Sequence, residues 1–199
     1  MNTSFRNLEA SALQLITSEI NNKGSSCITN FLSNEQLASL QESVRVEAEK
    51  HKGSYFAHHG GGEIESCLLG ALGASPEFRN MLASVYQAGA GQAAYSDEIL
   101  KVLRCVQGTS GRRESNCFHY DASLVTALLP IEIPQDGVDR GDLILFPNGR
   151  RIRSNVLINV VEKALLQNAL SRKLISSAIR HKLLRPEKLQ LVPGNLYLF

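Results

Sequence analysis

The chain has 199 residues, with 43% hydrophobic and 20% charged residues, which is the composition of a folded globular protein with one sizeable core. Its net charge of +2 gives no electrostatic argument for a nucleic-acid partner. No apolar run reaches the roughly 18 residues of a membrane helix, and the N-terminus carries no secretion signal. We therefore expect a single cytoplasmic domain, 1–199, without a membrane contact.

The first half of the chain, 1–99, is predicted to be mainly helical. Apolar residues recur at helical spacing up to 21–24, where polar residues and a glycine end the first helix. Ser33, with Gln36 as its capping-box partner, opens a second helix, to which we assign no chemistry. Ser75, followed by a proline and an acid, opens a third helix.

The stretch 55–63 holds two adjacent histidines and three glycines. The glycines predict a loop, which we place over a pocket, and His58 is our candidate there for a substrate contact. His58 and His59 are neighbours, so on an extended strand they point to opposite faces and do not easily share one metal ion. The run lacks the lysine and serine or threonine of a phosphate-binding P-loop.

The periodicity changes in the second half of the chain. Strand-like apolar runs occupy 102–108, 124–134 and 141–148. A polar connection is predicted at 109–114, and 135–137 has the composition of a turn. Several short strands separated by turn signals indicate an antiparallel sandwich or barrel.

The segment 116–123 lies between two of these strands and contains the only His-x-Asp of the chain. If the segment is extended, His119 and Asp121 project to the same side. An imidazole and a carboxylate in this arrangement can hold one face of a metal ion, as two members of a 2-His-1-carboxylate facial triad do. The structural alternative is a hydrogen-bonded core histidine followed by a strand-end cap.

The order of "FHYDAS", a strand, a turn, "GDLILFPN" and finally "VPGNLYLF" resembles the iron(II)/2-oxoglutarate-dependent oxygenases of the prolyl-hydroxylase-like superfamily. The upstream "CITNFLSNEQLASL" is similar to the strand and support helix with which that family begins. The resemblance implies an α+β fold with a double-stranded β-helix (jelly-roll) core. The core strands would lie in 100–148 and 188–199, with N-terminal support helices and a helical insertion at 149–187.

The resemblance also implies the chemistry. His119 and Asp121 would bind Fe(II), and O2 and 2-oxoglutarate would be consumed to hydroxylate a small-molecule or amino-acid-like substrate. Asn116 and Thr126 would contact 2-oxoglutarate. The remaining candidates, assigned to the substrate, are Arg104, Tyr120 and His58.

The sequence departs from the family pattern after the last strand. The family places its second iron-binding histidine and a basic residue for 2-oxoglutarate beyond the strand that "NLYLF" resembles. This chain has no histidine after His181 and no basic residue after Lys188. A truncated chain, a site completed by another subunit, or a jelly-roll binding protein without redox chemistry would each explain this. We favour truncation, because the apolar end Leu198–Phe199 would need cover.

The insertion 149–187 is rich in lysine and arginine, and its apolar residues fit one or two amphipathic helices. We expect a helical lid or a homodimer contact. The alternative is a nucleic-acid-binding module that uses residues such as Arg172 and Lys173. No aromatic residues interleave the basic ones, which disfavours binding of single strands by base stacking.

Overall fold

The computed structural model describes residues 9–62, 67–96, 98–115, 124–137, 140–147 and 169–199. Its helices are α1 Ala10–Lys23, α2 Asn34–Lys50, α3 Leu68–Ala74, α4 Pro76–Ala90, α5 Gly108–Ser115 and α6 Ala169–Arg180. Its strands are β1 Ser26–Ile28, β2 Phe56–His59, β3 Val102–Cys105, β4 Ala127–Leu128, β5 Leu143–Leu145, β6 Glu187–Leu189 and β7 Leu196–Leu198. The expected mixture of helices and antiparallel sheet is confirmed.

The predicted helix ends are confirmed where capping residues define them. Ser33 and Gln36 form both hydrogen bonds of the capping box at the start of α2. Ser75 caps α4 by accepting a hydrogen bond from a backbone N–H of the first turn. Gly24 and Gly91 end α1 and α4 in the left-handed conformation, with φ of 81° and 70°, which glycine adopts without steric cost.

Strand β7 is the centre of a three-stranded antiparallel sheet with the order β1–β7–β4. Leu198 lies opposite Ser26 on one side and Ala127 on the other. The three side chains of β7 are all buried, and Leu198 has no exposed surface. Leu198 is therefore covered, while Phe199 after it is half-buried.

Two smaller antiparallel sheets complete the description, β2 with β3 and β5 with β6. Both β5 and β6 fall between β4 and β7 in sequence, so their pairing is nested inside the β4–β7 pairing. Lys188 of β6 forms an ion pair of 2.6 Å with Asp142, beside the start of β5. The β4–β7 pair and the β5–β6 pair nested within it therefore belong to different sheets.

The apolar residues form two clusters. The first lies among α1, α4 and β7, and its buried members include Ile16, Phe78 and Leu198. The second is built around Leu40 and Val44 of α2. Leu103 of β3 packs against the second cluster, so the β2–β3 sheet lies beside α2.

Several local predictions are wrong. The polar connection at 109–114 lies within helix α5, and part of the predicted loop at 55–63 is strand β2. Residues 56–59 are a strand because they pair with β3, and the start of α5 is held by contacts with the turn before β2. The Gln107 side chain donates to the Ser54 carbonyl over 2.9 Å, and Ser110 Oγ accepts from the Tyr55 N–H, also over 2.9 Å. These bonds join segments far apart in sequence and cannot be read from local composition.

The predicted strands are too long. The run 124–134 contains only β4, because Pro130 and Pro134 cannot donate to a sheet ladder. The insertion 149–187 contains α6 and the start of β6, and its residues 149–168 lie outside the described part. Across the described ranges, no helix combines the length and the apolar character required to cross a membrane.

Candidate metal centre

Two histidines and one carboxylate meet where the end of α2 faces β2. Glu47 and His51 are four residues apart, which places them on the same side of the last helical turn. His58 is supplied by β2, on the same face of that strand as Phe56. These three side chains are a group that could hold a metal ion.

A single carboxylate oxygen connects the three groups. Oε1 of Glu47 lies 3.1 Å from Nε2 of His58 and 3.4 Å from Nε2 of His51. The other oxygen, Oε2, accepts from the ammonium of Lys50 over 2.5 Å. The Glu47 side chain is 13% exposed, whereas that of Lys50 is 62% exposed. The carboxylate is therefore mostly shielded from solvent, whereas the lysine side chain is largely exposed.

Phe56 fixes the two imidazole rings. Its ring stacks on that of His51 with centroids 4.1 Å apart and an interplanar angle of 13°. It also contacts the ring of His58, with centroids 5.2 Å apart. Phe56 is buried, with 5% of its surface exposed. Because the aromatic wall is itself packed in place, both rings are held in the orientation that directs them to Glu47.

The surroundings of Glu47 favour its ionised form. The hydrogen bond from Lys50 is the largest cause that lowers the pKa of the Glu47 carboxyl below its ordinary value of 4.5. Hydrogen bonds from His58 and His51 and the charge of Lys50 act in the same direction, while desolvation opposes them. The carboxylate is thus available as an anionic ligand at neutral pH.

We expect Glu47→Gln to make stability less dependent on pH in the acidic range. A lowered folded-state pKa stabilises the protein above the ordinary value of 4.5, and this stabilisation is lost as the pH falls through the lowered value. Urea unfolding should find the wild type more stable than Glu47→Gln at pH 7, with the difference shrinking as the pH falls below 4.5. Glu42→Gln, at an exposed position of α2, controls for loss of a carboxylate. A difference that stays constant with pH would contradict the expectation.

Two residues assigned to the substrate, His58 and Arg104, lie on opposite faces of the β2–β3 sheet. Arg104 pairs with Ala57, and His58 pairs with Leu103, so the alternation of strand side chains separates them. Arg104 is exposed, and its Nε donates to the Tyr55 hydroxyl over 3.3 Å. The structure therefore does not bring these two residues together.

The remaining residues assigned from the sequence are mostly not described. His119, Asp121, Asn116 and Tyr120 lie outside the described residues. Thr126 directly precedes β4, and its backbone exchanges two hydrogen bonds with Phe199, of 2.7 and 3.1 Å, which extend the β4–β7 pairing. The assignments to iron, 2-oxoglutarate and substrate stay predictions.

Helix α6 is the described part of the basic insertion. Leu170 and Leu174, one turn apart, are 67% and 61% exposed. Lys173 is also exposed. The homodimer contact through this helix stays a prediction, as does the nucleic-acid alternative.

A groove between α1 and α4 is a second concave feature. Uncharged polar side chains such as Gln14, Thr17 and Gln87 line it together with small residues. Because the residues lining this groove include no titratable side chain, we assign it no chemistry.

The sequence analysis did not single out Glu47 and His51 as candidate metal ligands. Their four-residue spacing on a predicted helix is the signal that could have found them, since it puts a carboxylate and an imidazole on one face. The third member could not be found in this way, because only the packing of β2 beside α2 brings His58 to them. His59, its neighbour, is exposed on the other face of β2, as the strand alternation predicts.

Comparisons of the chain with protein-family models, with curated proteins and with solved structures found no match.

Proposed function

We propose that this chain has the fold of an iron(II)/2-oxoglutarate-dependent oxygenase and acts on a small-molecule or amino-acid-like substrate. The observation that carries the proposal is the nested strand pairing. Strand β4, which follows the His-x-Asp segment, pairs with β7, and the intervening β5 pairs with β6.

A nested antiparallel pairing supports the proposal, because jelly rolls contain such pairings. In a jelly roll, a long antiparallel hairpin folds over, so that successive strand pairs fall in two facing sheets. Here β4–β7 and β5–β6 belong to different sheets and are nested in sequence. The strands involved are those of "GDLILF" and "NLYLF", in the order on which the resemblance rests. Chance pairing of short strands more often joins neighbours in sequence.

The donor types fit the proposed metal. His119 and Asp121 would bind iron(II) through an imidazole and a carboxylate, which this ion accepts together with open positions for co-substrates. Bound there, iron(II) would supply the reaction of O2 with 2-oxoglutarate, in which succinate and CO2 leave and a substrate C–H bond becomes C–OH. In sequence, the His-x-Asp segment lies between α5 and β4.

The protein's own residues would bind and orient the co-substrates. Asn116 and Thr126 flank the pair in sequence and are proposed to hydrogen-bond 2-oxoglutarate. Arg104 offers an exposed guanidinium for an anionic substrate group, although it now rests 5.8 Å from the centroid of the Tyr55 ring. The third iron ligand is not assigned to any residue of this chain.

The test is an anaerobic titration of the full chain with iron(II) and 2-oxoglutarate. Chelation of 2-oxoglutarate by iron gives a weak visible charge-transfer band. We expect the band in the wild type, and we expect His119→Ala and Asp121→Ala to weaken iron binding by at least about tenfold. His51→Ala and His59→Ala are the matched controls, because each removes one imidazole outside the proposed site.

The controls decide between the possible results. A band that His119→Ala and Asp121→Ala lose and both controls keep would support the proposal. A band lost only with His51 would assign the iron to the centre at α2. Absence of a band in the wild type would contradict an oxygenase site in this chain and favour the jelly-roll binding protein.

A further inference from the structure

Glu47, His51 and His58 converge at the junction of α2 and β2. We propose that Glu47, His51 and His58 bind a zinc-type divalent transition-metal ion, with water in the fourth position. The proposal goes beyond the oxygenase function, since it uses none of the residues assigned to iron.

Two of the three distances between the donor atoms match those of tetrahedral coordination. With zinc–ligand bonds of about 2.0–2.1 Å, adjacent donors of a tetrahedron lie about 3.3 Å apart. The two distances from Glu47 Oε1 to the histidine nitrogens are 3.1 and 3.4 Å. All three donors lie within 4.8 Å of one another. A small adjustment of the two rings would place an ion among them.

Hydrogen bonding alone is the alternative explanation of these contacts. Each imidazole would then donate from Nε2 to the same carboxylate oxygen. A bound metal ion would contact the same Nε2 atoms of both rings, and each ring would then carry its proton on Nδ1. The approach of two Nε2 atoms to one carboxylate oxygen is compatible with hydrogen bonding alone and with metal binding. The experiment below distinguishes these two explanations.

Lys50 does not occupy the position that the metal needs. Its ammonium bonds Oε2 of Glu47, whereas both histidines approach Oε1. A carboxylate that binds a metal through one oxygen commonly accepts a hydrogen bond on the other. The exposed lysine can therefore remain as an outer partner, or turn into solvent, when a cation binds.

The protein holds the site rigidly without a metal. Phe56 orients both imidazole rings, as described above. The turn between His51 and β2 is tied to α5 through Ser54 and Tyr55. A side chain at Gly108 would approach the Gly53 carbonyl within 2.2 Å, so α5 sits directly against this turn. Ligands held in this way lose little conformational freedom on binding.

The donor set selects a divalent transition-metal ion. Two imidazoles and one carboxylate are a zinc combination with an open fourth position, and iron(II) accepts the same donors. Calcium and magnesium prefer sites made of oxygen ligands, which this centre does not offer. The carbonyl end of α2 adds a partial negative charge that favours a cation.

The test is calorimetric titration of the chelator-treated full chain with ZnCl2. We expect wild-type binding to include one zinc equivalent that His51→Ala, His58→Ala and Glu47→Gln each weaken at least tenfold. His59→Ala, the neighbouring histidine on the opposite face, should bind as the wild type does. Asp121→Ala should remove only zinc taken up by the proposed iron site and keep the equivalent bound by Glu47, His51 and His58, which distinguishes the two sites.

Cobalt(II) provides a second readout. An intense visible ligand-field spectrum in the wild type, lost in His58→Ala, would support a four-coordinate site. Unfolding of each metal-free variant establishes that it is folded, and His51→Gln replaces His51→Ala if the alanine variant is not. No zinc binding in the wild type, equal binding in the Glu47, His51 and His58 variants, or a loss confined to Asp121→Ala would overturn the proposal.

Discussion

Leu198→Ala should lower the free energy of unfolding by about 3–5 kcal/mol, because Leu198 is fully buried and the change leaves a cavity. Its side chain lies on the central strand β7 and belongs to the cluster that joins α1 and α4 to the sheet. Loss of its contacts therefore loosens the helices and the sheet together. Urea unfolding followed by circular dichroism measures the effect.

Leu170→Ala is the matched control for Leu198→Ala. Leu170 is 67% exposed on α6, so the same chemical change should alter stability by less than about 0.5 kcal/mol. If both variants lose similar small amounts, below about 1 kcal/mol, then β7 is not the centre of the core.

Phe56→Ala should destabilise the protein by about 3–5 kcal/mol, the usual result of removing a buried phenyl ring. Phe56 is 5% exposed and contacts the rings of both His51 and His58. Its loss should therefore also release the two imidazoles from their shared orientation. Thermal and urea unfolding in the absence of metal measure the change in stability without any contribution from metal binding.

Tyr95→Ala is the control for Phe56→Ala, because Tyr95 is fully exposed and its removal should change stability by less than about 0.5 kcal/mol. A Phe56→Ala variant as stable as the Tyr95 control would mean that β2 is not packed beside α2. That result would also remove the structural basis of the metal centre.

Helix boundaries could be predicted from the sequence because their signals are local. Ser33 with Gln36, and Ser75 before a proline, act on backbone groups within one turn. Helix α5 has no apolar periodicity to reveal it, and its first turn is fixed by bonds to residues more than 50 positions earlier. Such contacts lie beyond any local pattern.

The sequence indicated where strands lie, but it did not indicate where each strand begins and ends. The apolar runs around β3, β4 and β5 were found, yet the ladders are two to four residues long. The length of a strand depends on its partner, and β4 pairs only where β7 is opposite it. For the candidate metal centre, the sequence indicated the histidine on β2 but not Glu47 and His51 at the end of α2, because only packing between the two elements brings the three side chains together.

The central position of β7 has a consequence for synthesis of the chain. Its partners β1 and β4 are not paired with each other, so each presents an open edge until β7 arrives. Ribosomes add about 5–20 residues per second, and β7 follows β4 by about 70 residues, a delay of about 4–14 s. The delay between the synthesis of β1 and that of β7 is longer, at about 9–34 s. During this interval β1 and β4 lack their common partner β7, although the described helices have been synthesised. A chaperone that binds the nascent chain would protect it most at this stage.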